Sequence, residues 1–144
     1  EIKMANRTLI EELQWQGWND DELEELRVQL NKWQQEMKTK KYTQQIRIEW
    51  LLDKLEVSEP KIRTYIRLGL QYKMEHPDAN LKETYEEVAT RFCIADNAVE
   101  HAIRYAISKW HKNPQKREFF GLNNDTDRVT NSLLFTTLYD RLRQ

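Results

Sequence analysis

Polar side chains recur at helical spacing between residues 97 and 105, and their chemistry suits the recognition of flat, polar ligands. The set comprises Asn97, Glu100, His101, Arg104 and Tyr105. Spacings of three and four residues place such side chains on one face of a helix. Arginine, asparagine and glutamate match the hydrogen-bonding edges of guanine, adenine and cytosine, and histidine can donate or accept. The pattern therefore predicts a helix that reads the bases of double-stranded DNA.

Positive charge is concentrated around the same helix. The whole chain carries 23 basic and 24 acidic side chains, whereas residues 97–118 carry five basic and two acidic ones. A local excess of cations favours contact with phosphates. The net charge of the whole chain, -1, does not by itself indicate such a contact. The side chains that we expect to contact the DNA backbone are Thr84, Ser108, Lys109, Lys112, Lys116, Arg117 and Asn131.

A simpler interpretation of these residues is a solvated helix surface. Glu100 and Arg104 stand four residues apart and would form an ion pair worth about 0.2–0.5 kcal/mol on any exposed helix. Pairs of amphipathic helices also occur in many proteins that never bind DNA. The spacing alone therefore leaves a helical interaction protein open as the alternative.

Catalysis and cofactor binding are not expected from this sequence. The only cysteine, Cys93, excludes an internal disulfide and a zinc site built on two thiolates. The histidines His76, His101 and His111 lie in different segments, without the spacing of metal ligands. Cys93 is interpreted as a buried turn residue rather than as a nucleophile, and no glycine-rich phosphate loop is found. We expect neither an enzyme nor a metal site nor a bound cofactor.

The composition predicts an all-α protein. Its 144 residues include three glycines and three prolines, too few for the turns of a β-sandwich or barrel. Five tryptophans, six tyrosines and four phenylalanines supply the apolar surface of a folded domain. Neither a membrane-spanning run nor a signal peptide is found, so we expect a cytoplasmic protein without membrane contact. The chain begins at Glu1 rather than at Met, as a trimmed chain or a fragment would.

Two helices are predicted before residue 43. Thr8 and Glu11 form a capping box for the first helix, in which each side chain satisfies a backbone donor. Asn19 and Glu22 form a second box, which opens an amphipathic helix. The apolar positions of this second helix are Leu23, Leu26, Leu30, Trp33 and Met37.

A domain boundary is predicted after residues 38–41, because this polar, basic stretch breaks the helical pattern. Residues 1–42 then form an N-terminal helical extension, and residues 43–144 form a separate domain. Aromatic side chains of the extension fit a core against the rest of the domain and a subunit interface about equally well. We expect the extension to serve homodimerisation or regulation. Its tryptophans are Trp15, Trp18 and Trp33.

Start and stop signals divide residues 43–144 into further helices. Proline is favoured in a first helical turn, and glycine just after a last one. The predicted signals are a start at Ser58 to Pro60, a stop before Pro77, a capping box of Thr84 with Glu87, a cap at Asp96 or Asn97, a short helix from Pro114 to Phe120 closed by Gly121, and a cap at Thr130 or Asn131.

Residues 85–104 fit the spacing of a helix-turn-helix. Ala89 is the small residue at which the two helices touch, and Cys93 to Asp96 form the turn between them. Cys93 stands where such a turn usually has glycine, so a relaxed turn geometry is expected. The side chains predicted to form the shared core are Val88, Phe92, Ile94, Val99 and Ile103.

Three stretches of the sequence resemble a known bacterial family. They are TYEEVATRF at residues 84–92, VEHAIRYAI at residues 99–107 and TNSLLFTTLYDRLR from Thr130, with a weaker match at residues 57–70. Together they look like the C-terminal effector domain of the sporulation master response regulator of endospore-forming bacteria. The resemblance runs in the same order from about Thr43 onward.

This resemblance implies a six-helix, all-α domain that binds a short DNA box through its helix-turn-helix and contacts RNA polymerase. Glu100 and Arg104 match the family's recognition helix, whereas His101 stands in place of an arginine and Tyr105 in place of a histidine. The target box is therefore expected to differ. Residues 1–42 stand where the family has a receiver domain.

We therefore predict a bacterial, cytoplasmic transcription regulator that binds double-stranded DNA. The alternative is an accessory protein that keeps the fold but binds another regulator or RNA polymerase, and His101 and the near-neutral net charge favour it. Salt separates the two, because a complex with DNA weakens steeply as the salt concentration rises.

Overall fold

Seven α-helices and the turns between them make up the part of the chain that the structure describes. A computed structural model gives the backbone of residues 2–144 and the side chains of residues 9–144. No strand occurs in the described backbone, which confirms the all-α prediction. Over the same residues, every helix is too short or too polar to cross a membrane. The helices are α1 (Ile2–Trp15), α2 (Asp20–Lys54), α3 (Pro60–Glu75), α4 (Leu81–Phe92), α5 (Asp96–Ser108), α6 (Pro114–Phe119) and α7 (Asn131–Leu142).

Several predicted helix starts are confirmed. Asn19 and Glu22 form the expected capping box, in which the Glu22 N–H donates to Asn19 Oδ1 at 2.8 Å and the Asn19 N–H to Glu22 Oε1 at 3.4 Å. Pro60 opens α3. Thr130 caps α7, because its Oγ1 accepts from the Leu133 N–H at 3.1 Å. These signals are local, so short sequence patterns were sufficient to find them.

Two glycines follow the ends of helices, and the sequence predicts this for Gly121. Gly17 follows α1 with φ of 90°, and Gly121 follows α6 with φ of 70°. Both values lie in the left-handed region, which a residue without Cβ adopts at little cost.

The predictions for the first two helices need correction. α1 already includes Thr8, which therefore does not open it, and the Thr8 side chain lies outside the described residues. The predicted break at residues 38–41 does not occur, because α2 continues through this stretch. Lysine is a good helix former, and Thr39 Oγ1 donates to the Gln35 carbonyl at 3.0 Å, which satisfies the hydroxyl within the helix.

α4 begins earlier than its predicted capping box. It starts at Leu81, where Asn80 acts as the cap and its Oδ1 accepts from the Glu83 N–H at 2.8 Å. Thr84 lies within the helix, and its Oγ1 donates to the Asn80 carbonyl at 2.9 Å. The predicted box of Thr84 with Glu87 is therefore wrong, because Asn80 is the stronger cap and lies four residues earlier.

The chain divides into two compact units, Glu1–Thr43 and Gln44–Gln144. In the first unit, the buried apolar side chains among the described residues are Ile10 and Leu23. The tryptophans of this unit are exposed instead, with Trp15 at 91% and Trp33 at 50% of their surface. Trp18 is exposed as well. The interpretation of these three tryptophans as core residues is therefore wrong.

The second unit is built around one apolar core. Helices α3, α4, α5 and α7 pack against one another, and the last turns of α2 contribute buried side chains. Gly69 lets α3 approach its neighbours closely, since an added Cβ would lie 2.7 Å from Phe135 Cε1 and 3.2 Å from Thr84 Cγ2. This core fixes one face of α5 and leaves the opposite face to solvent. Its most deeply buried side chains include Leu52, Ile66, Leu70, Val99, Ile103, Leu134 and Leu138.

Ion pairs join the end of α2 to α3. Arg63 Nε donates to Glu49 Oε2 at 2.9 Å, and Arg63 also lies 2.8 Å from Asp53 Oδ1 and donates to the Val57 carbonyl at 3.0 Å. Arg67 pairs with the other Glu49 oxygen. Partial burial favours the protonated form of Glu49, but the hydrogen bonds and charges of the two arginines outweigh it and lower the pKa of this carboxyl.

Replacing Glu49 by glutamine is expected to reduce stability at neutral pH but not in acid. A carboxyl whose pKa is lowered by folding stabilises the protein fully when the pH is above the ordinary pKa of the carboxyl, 4.5. This stabilisation is lost as the pH falls through the lowered pKa. After allowance for solvent screening, the expected loss at neutral pH is about 1 kcal/mol. Urea denaturation of the parent and Glu49→Gln proteins at neutral and acidic pH measures it. Asp53→Asn is the control, since this side chain is 71% exposed and should matter less. A pH-independent difference for Glu49→Gln would contradict the assignment.

Candidate functional site

α4 and α5 are joined by a tight turn that Cys93 opens. Cys93 adopts the left-handed conformation, with φ of 53° and ψ of 42°, and the following Ile94 N–H donates to the Ala89 carbonyl at 3.1 Å. This backbone arrangement is a common way to end a helix. α5 then begins at Asp96 without a side-chain cap, so the predicted cap at Asp96 or Asn97 is wrong.

The core shared by these two helices forms only in part as predicted. Phe92 is 43% exposed, Ile94 is 38% exposed, and Cys93 is exposed rather than buried. The Phe92 ring packs edge-on against Tyr65 of α3, with 5.5 Å between ring centroids. Because the chain changes direction at Cys93, these three side chains lie at the rim of the turn. The side chains that are buried at the contact are Val88, Ala89, Val99 and Ile103.

Glycine in place of Cys93 is expected to stabilise the protein. The left-handed conformation costs a residue with a Cβ about 1–2 kcal/mol, and glycine removes this cost. Part of the resulting gain in stability is lost because glycine makes the unfolded chain more flexible. Cys93→Gly should therefore raise the free energy of unfolding by about 0.5–1 kcal/mol. Urea denaturation measures the change. Cys93→Ala keeps the Cβ and is the matched control, so an equal gain in both variants would argue against strain at this position.

The outer face of α5 carries the polar residues that the sequence predicts to read bases. Asn97, His101, Arg104 and Tyr105 are exposed, and Glu100 is about one-third exposed. The opposite face is buried in the core of the second unit. It consists of Val99, Ile103 and Ile107, and Trp110 follows in the next turn. α5 therefore separates an apolar face from a polar one along its length.

Glu100 and Arg104 form an ion pair on this outer face. Their side chains are 34% and 61% exposed, so the pair is solvated and Arg104 remains accessible. Tyr105 is 69% exposed, and Lys109 Nζ lies 4.8 Å from the centroid of its ring. Ser108 Oγ donates to the Tyr105 carbonyl at 2.6 Å. The pair agrees with the simpler interpretation of these residues and is compatible with ligand binding too.

A cleft of about 700 Å³ runs beside the outer face of α5. α5 forms one wall, and the start of α4 and the start of α7 form the rest. Three basic side chains, Lys82, Arg104 and Arg128, line it. Sequence reasoning did not select Lys82 or Arg128, because only the packing of α7 and α4 beside α5 brings them to Arg104. Two acidic side chains, Asp96 and Glu100, line it as well, so charges of both signs border the polar face.

Two residues predicted to contact a DNA backbone are buried instead. Thr84 is 2% exposed and Asn131 is 8% exposed. The Asn131 Nδ2 group donates to the Tyr85 hydroxyl at 2.9 Å and to the Glu100 carbonyl at 3.0 Å. Asn131 therefore joins α7 to α4 and α5, and neither it nor Thr84 is available to a phosphate.

The Tyr85 hydroxyl lies close to the cleft. Burial raises the pKa of Tyr85, while the hydrogen bond from Asn131 and the positive charge of Arg104 oppose the rise. Arg104 therefore lies near enough to Tyr85 to act on it electrostatically, although its guanidinium is mostly exposed. The Tyr85 hydroxyl is therefore uncharged at neutral pH.

Arg117 has a structural role that the sequence did not indicate. Its guanidinium donates to the carbonyls of His111 at 3.2 Å and Asp127 at 2.6 Å, and also to that of Asn124. These bonds organise the segment between α6 and α7, which carries Arg128. Three of the five N–H donors of Arg117 are thus bonded to backbone carbonyls, and its predicted contact with phosphate stays a prediction.

The remaining predicted phosphate contacts differ in exposure. Ser108, Lys109 and Lys112 are exposed at and just beyond the end of α5. Lys116 is partly buried, and its Nζ lies 5.3 Å from the Trp110 ring centroid. Lys109 and Lys112 are therefore the better placed of the lysines to reach a ligand along α5.

Within the part of the chain that is described, no three histidine, cysteine, aspartate or glutamate side chains are grouped as a metal site requires. Comparison of the chain with family models, with curated proteins and with solved structures gave no match. Its function must therefore be inferred from the geometry of α4, α5 and the adjoining cleft.

Proposed function

We propose that the chain is a transcription regulator that binds double-stranded DNA, with α4 and α5 as a helix-turn-helix. The observation that carries this proposal is the exposed polar face of α5, opposite an apolar face that is fixed in the core. The left-handed turn at Cys93 sets the angle between the two helices. The resemblance of residues 84–107 to a DNA-binding effector domain supports the same function.

The size of α5 suits the major groove. Its 13 residues span about 20 Å, and the groove is about 12 Å wide, which admits one helix. In helix-turn-helix proteins, the first turns of the second helix contact the base edges. Asn97, His101 and Arg104 occupy these turns, with Glu100 and Tyr105 between and beside them. We assign base reading to this group.

Cations around α5 supply the contacts to phosphate. Lys82 and Arg128 line the cleft beside Arg104, so a DNA strand along this cleft would meet two positive charges in addition to the base-reading Arg104. Lys109 and Lys112 extend the positive surface beyond the end of α5. Phosphate contacts of this kind add affinity without regard to sequence. Contact with RNA polymerase, which the family resemblance implies, belongs to the same proposal.

One observation favours a second candidate function, in which the same surface binds a protein. Glu100 pairs with Arg104, and Asp96 also lines the cleft, so part of its positive charge is neutralised. A mixed-charge face of this kind can recognise a complementary protein surface. The candidate partner is another regulator or RNA polymerase.

Binding of the intact chain to random-sequence duplexes at two salt concentrations tests the proposal. If DNA is the ligand, affinity falls steeply with salt, and selection from a random pool returns a preferred box. Failure to bind, or binding without salt dependence, would contradict the proposal and favour the second candidate.

A charge-removal pair sharpens this test. Arg128→Gln should weaken binding to every duplex and lower the slope of log affinity against log salt by about one. Lys61→Gln removes one exposed charge that does not line the cleft and is the matched control. An equal effect of both variants would place the DNA elsewhere on the chain.

A further inference from the structure

The first half of α2 carries an apolar stripe that the described residues bury only in part. Leu26, Leu30, Trp33 and Met37 follow one another at alternating spacings of four and three residues, and we call them the α2 stripe. Leu26 and Leu30 are partly buried, whereas Trp33 is 50% exposed and Met37 is 69% exposed. Four apolar residues in such a repeat form a continuous line along a helix.

This line is typical of a helix that pairs with another helix. In coiled coils and helical bundles, an apolar seam repeats every three and four residues and is buried against a partner. Two other exposed apolar side chains of this segment lie away from the stripe. Val28 is 61% exposed and lies nine residues before Met37, and Tyr42 is 65% exposed and lies five residues after it. The α2 stripe therefore resembles a seam, and Val28 an isolated surface residue.

The charges on the same segment specify the partner and its direction. Acidic side chains occupy the beginning of α2, and basic side chains occupy the stretch after the stripe. A parallel pair would place like charges side by side, whereas an antiparallel pair would place each acidic end beside a basic end. The acidic residues of the beginning are Asp20, Asp21, Glu22, Glu24 and Glu25, the basic ones after the stripe are Lys38, Lys40 and Lys41, and the charges between them, Arg27, Lys32 and Glu36, are of mixed sign.

The spacing of the α2 stripe also defines how two antiparallel copies align along their axes. If Leu30 of one copy faces Trp33 of the second, then Leu26 faces Met37 of the second, and the reverse contacts follow by symmetry. In this register the acidic beginning of each helix lies alongside the basic stretch of the other, whereas Glu22 and Lys41, which are level, lie on opposite edges of the seam. One alignment of two identical helices thus buries the apolar stripe and places oppositely charged ends next to each other.

We propose that the chain self-associates through the α2 stripe, with the α2 helices of two copies side by side and antiparallel. The occupant is a second copy because this segment is complementary to itself when reversed, both in apolar spacing and in charge. The inference uses only α2 residues 20–43 and is independent of the proposed DNA binding.

The oligomeric state of the intact chain tests the proposal. Sedimentation velocity at micromolar concentration, with a reducing agent to exclude disulfides through Cys93, should show a dimer. Met37→Glu should lower the association constant about tenfold or more, since it places a charge within the seam. Val28→Glu is the matched control and should leave association unchanged. A monomeric parent chain, or equal effects of the two variants, would overturn the proposal and leave the stripe to a different partner.

Charge reversal tests the direction of the helices. Glu24→Lys with Glu25→Lys removes most of the negative charge of the acidic end, since three acidic side chains then stand beside two basic ones, and Lys38→Glu with Lys41→Glu leaves the basic end with one lysine beside two glutamates. The capping residues Asn19 and Glu22 are kept. Each double variant should self-associate more weakly than the parent, and a mixture of the two should associate again. Circular dichroism should show that both remain helical. Undiminished self-association of each variant alone would overturn the antiparallel arrangement.

Discussion

Arg104→Ala is expected to abolish the preference of the protein for one base pair of its selected DNA box. Arg104 lies on the outer face of α5 with 61% of its side chain exposed, and a guanidinium can donate two hydrogen bonds to one guanine. Loss of such a contact costs about 1–3 kcal/mol with the cognate base pair only. Titration of duplexes that vary at one position each should show equal affinity for all four base pairs at that position.

Lys112→Ala is the control for this result. Lys112 lies beyond the end of α5, so it is expected to contact phosphate and not bases. Its loss should weaken all duplexes alike and lower the salt slope by about one, while the preferred box is kept. If Arg104→Ala also weakened cognate and scrambled duplexes equally, α5 would not read sequence.

The ion pair with Glu100 requires one further comparison. If Arg104 acts only through its bond to Glu100, then Glu100→Gln should reproduce the loss of Arg104. If Arg104 contacts a base directly, Glu100→Gln releases the guanidinium, and discrimination at that base pair persists. The double variant separates these cases, because coupled residues deviate from additivity.

The largest effect on stability is expected at Gly69. An added Cβ would lie 2.7 Å from Phe135 Cε1 and 3.1 Å from Phe135 Cζ, and this ring is buried and cannot move freely. Alanine favours a helix over glycine by about 1 kcal/mol, but overpacking of a core costs about 1–3 kcal/mol. Gly69→Ala should therefore lose about 1 kcal/mol of unfolding free energy, and the β-branched Gly69→Val distinctly more, about 3 kcal/mol. Urea denaturation measures both.

A rescue experiment tests the stated cause. Phe135→Leu removes the ring that the new Cβ would meet. The substitution should therefore lower the free energy of unfolding less in the Gly69→Ala protein than in the parent. The difference between the two backgrounds measures the steric conflict alone. A Gly69→Ala protein more stable than the parent would show that helix propensity dominates at this site.

Sequence patterns predicted the parts of this fold that depend on neighbouring residues. The capping box of Asn19 with Glu22, the first-turn Pro60 and the cap at Thr130 each involve groups within a few positions of one another. The break at residues 38–41 was wrong because a polar stretch interrupts amphipathicity without interrupting helix formation. A helix needs no apolar face where no core lies beside it.

Of the candidate site, the sequence could predict only the part formed by α5 alone. The exposure of Asn97, His101 and Arg104 follows from the burial of the other face of α5. By contrast, the packing of α7 beside α5 makes Arg128 line the cleft. The same packing buries Asn131, which the sequence had predicted to contact phosphate. These relations join residues far apart in the chain, and no local pattern encodes them.

The exposed thiol of Cys93 makes the wild-type chain suitable for site-specific labelling. The sequence contains one cysteine, so a maleimide fluorophore would attach at a single position without prior mutagenesis. That position is the corner between α4 and α5, where the left-handed backbone holds the residue at the surface. A change in the fluorescence of a dye at this corner would report in real time the binding of a ligand to α5.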